Sequence, residues 1–208
     1  MMNIFEYLLS KSRPKDNNII EVNDENIYDI VNKEIERLGV NADLNHIDVS
    51  MCTSFYDEKT KIGLFEQSGF YGDVSEWDTH NVIDMTNLFF NCNKFNSDIS
   101  KWDTSNVKSM RNMLRGCVSF NCDIGGWDVS NVESMHGMFR RCSNFNKDIG
   151  NWDVSKCKDF SRMFGYCFDF DQDLSRWKMD KNSSITYMFY DAKIKHDYLP
   201  DLIKNTVD

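Results

Sequence analysis

The sequence predicts an α/β repeat fold, a solenoid of 25-residue turns with helical caps at both ends, and three observations predict it. Tryptophans stand at 77, 102, 127, 152 and 177, one per 25 residues. A shift of the chain on itself by that period aligns whole blocks, not the indoles alone. The aligned blocks also hold Asp, Asn and Ser at fixed places, where side-chain oxygens close turns.

The unit is clearest in Phe95, Asn96, Asp98, Ile99, Trp102, Asp103, Asn106, Val107, Met110, Met113, Leu114 and Cys117. It recurs as Phe120, Asn121, Asp123, Ile124, Trp127, Asp128, Asn131, Val132, Met135, Met138, Phe139 and Cys142 with no insertion. Units beginning at Phe70 and Phe145 keep the frame. The last, from Phe170, decays: Lys178, Asn182 and Ala192 replace the Asp, Val and Cys. Decay at an end is how a repeat array is capped.

Taken in chain order, residues 1–20 form an N-terminal segment and linker. Residues 21–42 predict a capping helix, since Ile27, Ile30, Val31, Ile35 and Leu38 recur at helical spacing, with Asn23 or Asp24 as cap and Gly39 past the end. The repeats occupy 43–190 in about six turns. Their first turn is atypical: Ile47 stands in the tryptophan slot 30 residues before Trp77, which implies a five-residue insertion within 56–61. Residues 191–208, with Tyr198, Leu199, Leu202 and Ile203, predict a short helix over the other end. A single turn has too few apolar side chains to offset its ordering entropy, so turns must stack.

Within each unit, Asp98 to Asp103 is expected to carry the strand. The spacing Val107, Met110, Met113, Leu114, Cys117 suits a short α or 3₁₀ helix. Ile99 and Trp102, three apart, would face opposite sides of a flat strand. Either a bend turns both inward, or the indoles form an exposed ladder. Inward is favoured, because five exposed indoles would make a large apolar patch.

Cys92, Cys117, Cys142 and Cys167 form a column expected to fill one core slot as buried thiols, with Cys157 also in the core and Cys122 exposed and reactive. The columns Asp73, Asp98, Asp123, Asp148, Asp173 and Asp78, Asp103, Asp128, Asp153 are expected to close turns rather than bind calcium. His46, His80, His136 and His196 fall at unrelated repeat positions, and no close Cys pair or zinc-protease spacing occurs. No catalytic, cofactor or metal site is therefore expected, and the chain reads as a non-enzyme.

An apolar fraction of 41% with 13% aromatics is that of a folded chain, and a net charge of −9 argues against nucleic acid as partner. No run is long enough to span a membrane. The expected partner is a protein. The variable positions Lys101, Lys108, Arg111, Arg115, Arg140, Arg141, Arg162 and Tyr166 gather cations and an aromatic on an acidic chain. In an alternative reading the chain is a structural component of a virus particle or surface assembly, docked through Ile4, Phe5, Tyr7 and Leu8. Those residues lack a leading positive charge and a cleavage site, so they are not a secretory signal and the chain is expected in the cytoplasm where it is made.

The pattern F-N-x-D-I-S-x-W-D-T-S-N-V-x-x-M-x-x-M-F-x-x-C over residues 43–190 resembles the BspA-type leucine-rich-repeat family, in the branch typified by mycoplasma lipoproteins. That resemblance implies an adhesion or protein-binding role and assigns no catalytic residues.

Overall fold

The computed structural model describes residues 19–204. Most of that chain is turn and bend, with few and short regular elements around one large buried core rich in Phe and Trp. Strand β1 (Ile20–Glu21) pairs in parallel with β2 (Ile47–Asp48), and helix α1 (Ile27–Leu38) lies between them in sequence. Strands β3 (Tyr56–Asp57) and β4 (Ile62–Gly63) form a hairpin. A 3₁₀ turn (His196–Tyr198) and helix α2 (Asp201–Lys204) complete the described chain.

Helix α1 arises as its apolar spacing predicts: Ile27 and Val31 are fully buried. Its cap differs from expectation. Asn26 is the boundary residue, and its Oδ1 accepts the Asn23 N–H; Asp24 instead accepts from Thr53 N–H and Oγ1. Gly39, with φ 89°, closes the other end by donating to Ile35 O.

Between residues 41 and 192 order comes from contacts one period apart. Single parallel bridges join Asp84, Ser109, Ser134, Asp159 and Ser184 in succession. Met85 N–H donates to Ser109 O, Met110 to Ser134, Met135 to Asp159 and Phe160 to Ser184, all at 2.8–3.0 Å. In the regular turns the bridging position thus lies after the Asn-Val pair; the segment equivalent to Asp98–Asp103, where a strand was expected, forms ladder bonds only in the opening turns, where β2 lies and Asp43 bridges Asp73. No helix occupies the second half of these turns. Residues 111–116 and their equivalents run as consecutive turns such as Met113 N–H to Met110 O and Cys117 N–H to Leu114 O. A three-residue apolar spacing suits both forms; the difference is that two positions per turn take left-handed φ, which a helix excludes.

The tryptophan direction is resolved inward. All five indoles are at most 4% exposed, and Trp77–Trp102, Trp127–Trp152 and Trp152–Trp177 stack at 6.3–6.4 Å with planes within 9°. The bend required by the three-residue offset is a turn: Trp102 N–H donates to Ile99 O, and the same bond recurs at Trp127, Trp152 and Trp177. Each Nε1–H finds a carbonyl in the preceding turn, as Trp102 to Val74 O and Trp127 to Ile99 O, both 3.0 Å. The buried ring is therefore also hydrogen-bonded, which a buried indole requires.

The first-turn insertion is localised by the same bonds. Phe55 N–H donates to Asp84 O as Met85 does to Ser109, and Phe65 N–H to Leu88 O as Phe89 does to Met113. Ten residues separate Phe55 from Phe65 where four separate Met85 from Phe89, so six are inserted, and they make the β3–β4 hairpin. Five residues then separate Phe65 from Phe70 where six separate Phe89 from Phe95, which restores the net five.

The aspartate columns close turns. Oδ1 of Asp98, Asp103, Asp153 and Asp173 accepts the N–H of Ser100, Ser105, Ser155 and Ser175 at 2.9–3.0 Å. The serine hydroxyls, then these N–H groups, hold the four carboxyls below the usual carboxylate range. Because the folded value lies below the unfolded one, their stabilisation is full above the unfolded pKa near 4 and is lost as pH falls through the folded value. A thermal midpoint constant from pH 7 to about 5, then falling steeply below about 4, is expected from calorimetry across that range.

Candidate functional site

Two columns of the stack hold left-handed backbone in each of the five turns from Phe70 onward. One is Asn87, Asn112, Gly137, Arg162 and Tyr187, with φ from 50° to 61°. The other is Asn91, Gly116, Arg141, Tyr166 and Asp191, with φ from 56° to 79°. Asn and Gly are the residues this conformation accepts at least cost, and the early turns use them. The later turns place Arg and Tyr there instead, at about 1 kcal/mol of backbone strain each. Strain kept at a cluster of one chemistry points to what the side chains do.

These strained positions adjoin a third column, Phe90, Arg115, Arg140, Gly165 and Tyr190. The Arg115 guanidinium lies 4.9 Å from the Phe90 ring centroid, and those of Arg140 and Arg141 lie 5.8 and 5.7 Å from that of Tyr166. Tyr166 meets Tyr190 edge-on at 5.4 Å, and Tyr190 meets Tyr187 at 5.8 Å. Phe168, Tyr187 and Tyr190 are each more than half exposed. Arg140, Arg162, Gly165, Tyr166, Tyr187 and Tyr190 line an open cavity of about 280 Å³.

The electrostatics are one-sided. Burial, then the charges of Arg140, Arg141 and Arg162, lower the pKa of Arg115 from its ordinary value. Among the described residues none of these four guanidiniums has a carboxylate within ion-pair distance. A chain of net charge −9 thus concentrates four unneutralised cations on one aromatic face.

Of the residues singled out from sequence, the structure brings together Arg115, Arg140, Arg141, Arg162 and Tyr166. Arg111 stands apart in charge: its Nη1 lies 3.6 Å from Asp159 Oδ2, which His136 Nδ1 also approaches at 3.5 Å. Lys101 is on the other half of its turn, 3.8 Å from Glu76. Ile4, Phe5, Tyr7 and Leu8 lie outside the described residues. Phe90, Phe168, Tyr187 and Tyr190 were missed, although a shift of 25 or 50 residues from Arg140 and Arg115 would have aligned Phe90 and Tyr190 with them.

The cysteine column is core. Sγ of Cys92, Cys117, Cys142 and Cys167 donates to carbonyls of the preceding turn at 2.8–3.1 Å, and all four are fully buried, as is Cys157. Cys122 is half-buried rather than exposed, and burial, offset in part by the Ile99 backbone but reinforced by Asp98, raises its thiol pKa. It is reachable without being activated. A thiol reagent is expected to modify only Cys122 of the described cysteines in the native state, slowly, and all seven after denaturation; mass spectrometry reads the count. Among the described residues no cluster of His, Cys, Asp or Glu is arranged for a metal, and no helix is long and apolar enough to cross a membrane.

A family model described as Mycoplasma protein of unknown function, DUF285, matches residues 41–133 and again 100–200. No curated protein and no solved structure matches the chain.

Proposed function

We propose that this chain, which belongs to the DUF285 family of mycoplasma proteins of unknown function, is a non-enzymatic protein-binding scaffold: a solenoid whose arginine and tyrosine face takes an acidic segment of a protein partner. The 25-residue bond pattern and the continuous core support the solenoid as a rigid frame. One observation carries the binding role. Arg115, Arg140, Arg141 and Arg162 stand together with no carboxylate within ion-pair distance among the described residues, and Arg141, Arg162 and Tyr166 occupy backbone positions that Asn or Gly fills in other turns.

Arg and Tyr are the residues that anchor protein interfaces, since each joins a broad apolar surface to a polar tip. Guanidiniums stacked on rings are held in place before a ligand arrives, and a carboxylate then meets a fork of donors already oriented. Partner carboxylates would supply the charge that this face lacks.

The test separates binding from folding. Arg141→Asn with Arg162→Asn replaces two strained residues by ones suited to the backbone. The double variant is expected to be as stable as the parent or more so, by up to about 1 kcal/mol. It is also expected to bind an oligoglutamate peptide about tenfold more weakly in low salt, with a shallower salt dependence. Isothermal titration beside urea unfolding reads both. Unchanged affinity in the stable double variant contradicts the proposal.

A further inference from the structure

From Met85 onward, each turn of the stack hands four backbone N–H groups to the next. In the fourth such junction Phe160, Arg162, Phe164 and Tyr166 donate to the carbonyls of Ser184, Thr186, Met188 and Tyr190 at 2.8–2.9 Å. Met135, Gly137, Phe139 and Arg141 do the same one turn earlier. The corresponding donors of the last turn are Ile185, Tyr187, Phe189 and Asp191. Among the described residues none of these four N–H groups has an acceptor. The C-terminal piece was expected to cover this end, but it returns over the other half of the turn, where Leu174 N–H donates to Tyr198 O at 2.8 Å. Ile185 to Asp191 therefore forms an open edge carrying donors only, with Tyr187 and Tyr190 exposed along it.

The polarity of this edge selects its occupant. Two copies meeting through it would set N–H against N–H. A head-to-tail stack is obstructed at the other end, where α1 joins the core through Ile27 and Val31 and Tyr28 Oη donates to Ile62 O. The occupant must bring carbonyl acceptors of its own. It must also suit the charge beside the edge, because Arg140 and Arg162 line the same cavity as Tyr187 and Tyr190.

We propose that an acidic segment of a partner protein lies along Ile185–Asp191 as one further rung of the stack, its carbonyls accepting these four N–H groups and its carboxylates meeting Arg140, Arg141 and Arg162. This rests on the reading of the arginine face as a protein-binding surface, and adds to it a backbone-directed seat and a register.

The probe is a synthetic peptide of residues 133–142 carrying Arg140→Glu and Arg141→Glu, which keeps the rung's own backbone habit and adds carboxylates. The native-sequence peptide and inorganic tripolyphosphate are the comparisons. With the full chain, the acidic peptide is expected to slow amide exchange at Ile185, Tyr187, Phe189 and Asp191 by about tenfold or more, read by NMR. The native-sequence peptide is expected to bind at least about tenfold more weakly. Tripolyphosphate is expected to shift arginine side-chain signals without protecting the four amides. Acidic-peptide binding that leaves those amides unprotected overturns the rung and leaves the acidic-partner reading standing. No binding of acidic peptide or tripolyphosphate to protein with native tryptophan emission overturns both.

Discussion

Trp127→Ala is expected to lower the stability of the fold by about 3–5 kcal/mol, measured by urea unfolding followed through the remaining four indoles. Three losses combine. The ring is 4% exposed, so its removal leaves a cavity in a core that cannot fully close. It stacks on Trp152 at 6.4 Å, and that contact goes with it. Its Nε1–H donates to Ile99 O at 3.0 Å, so that carbonyl, which keeps the Trp102 N–H, loses one of its two donors, a cost of about 0.5–1.5 kcal/mol. Trp127→Phe separates these contributions: it keeps a six-membered ring in the slot and loses the donor, and a loss of about 1–3 kcal/mol is expected from the smaller ring and the lost hydrogen bond together. Because the indole couples adjacent turns, the Ala variant is also expected to unfold less cooperatively, with a reduced denaturant slope. A loss below about 1 kcal/mol for Trp127→Ala would contradict the packing described.

Much of this architecture was legible because a period-25 pattern constrains every turn at once. The inward indoles followed from solubility alone, and the turn at Ile99–Trp102 is how the backbone achieves it. The buried cysteine column and the turn-closing aspartates followed from residue type and position. The distribution of backbone form within a turn was not legible from apolar spacing. Met110, Met113, Leu114 and Cys117 are spaced alike in a helix and in a run of three-residue turns. The discriminating signal lay in polar residues: Asn87 and Asn112 with Gly137, and Asn91 with Gly116, mark left-handed positions that no helix interior provides.

The candidate site was half legible. Arg115, Arg140, Arg141, Arg162 and Tyr166 could be collected as cations and an aromatic at variable positions. What sequence could not supply was pairing: Arg111 belongs to Asp159, whereas the other four have no carboxylate among the described residues. The aromatic partners were missed because Phe90 and Tyr190 replace arginine in their column instead of matching it. A column of Phe90, Arg115, Arg140, Gly165 and Tyr190 is one surface in the stack and five unrelated residues along the chain.

The central claim is that 25-residue units are interchangeable rungs whose bonds depend on register, and deletion tests it most directly. Removing residues 96–120 joins Phe95 to Asn121, the equivalent of Asn96, so Met85 N–H can donate to Ser134 O in place of Ser109 O. Removing residues 96–107 loses the same tryptophan, Trp102, but breaks the frame. Urea unfolding of the two proteins, followed by tryptophan emission, gives the comparison. The 25-residue deletion is expected to unfold in one cooperative transition from a buried-indole spectrum, with a denaturant slope lower by roughly an eighth, in proportion to chain removed. The 12-residue deletion is expected to show exposed indoles and no cooperative transition. If the longer, in-register deletion unfolds the protein as completely as the shorter one, the turns are not equivalent rungs and the account fails.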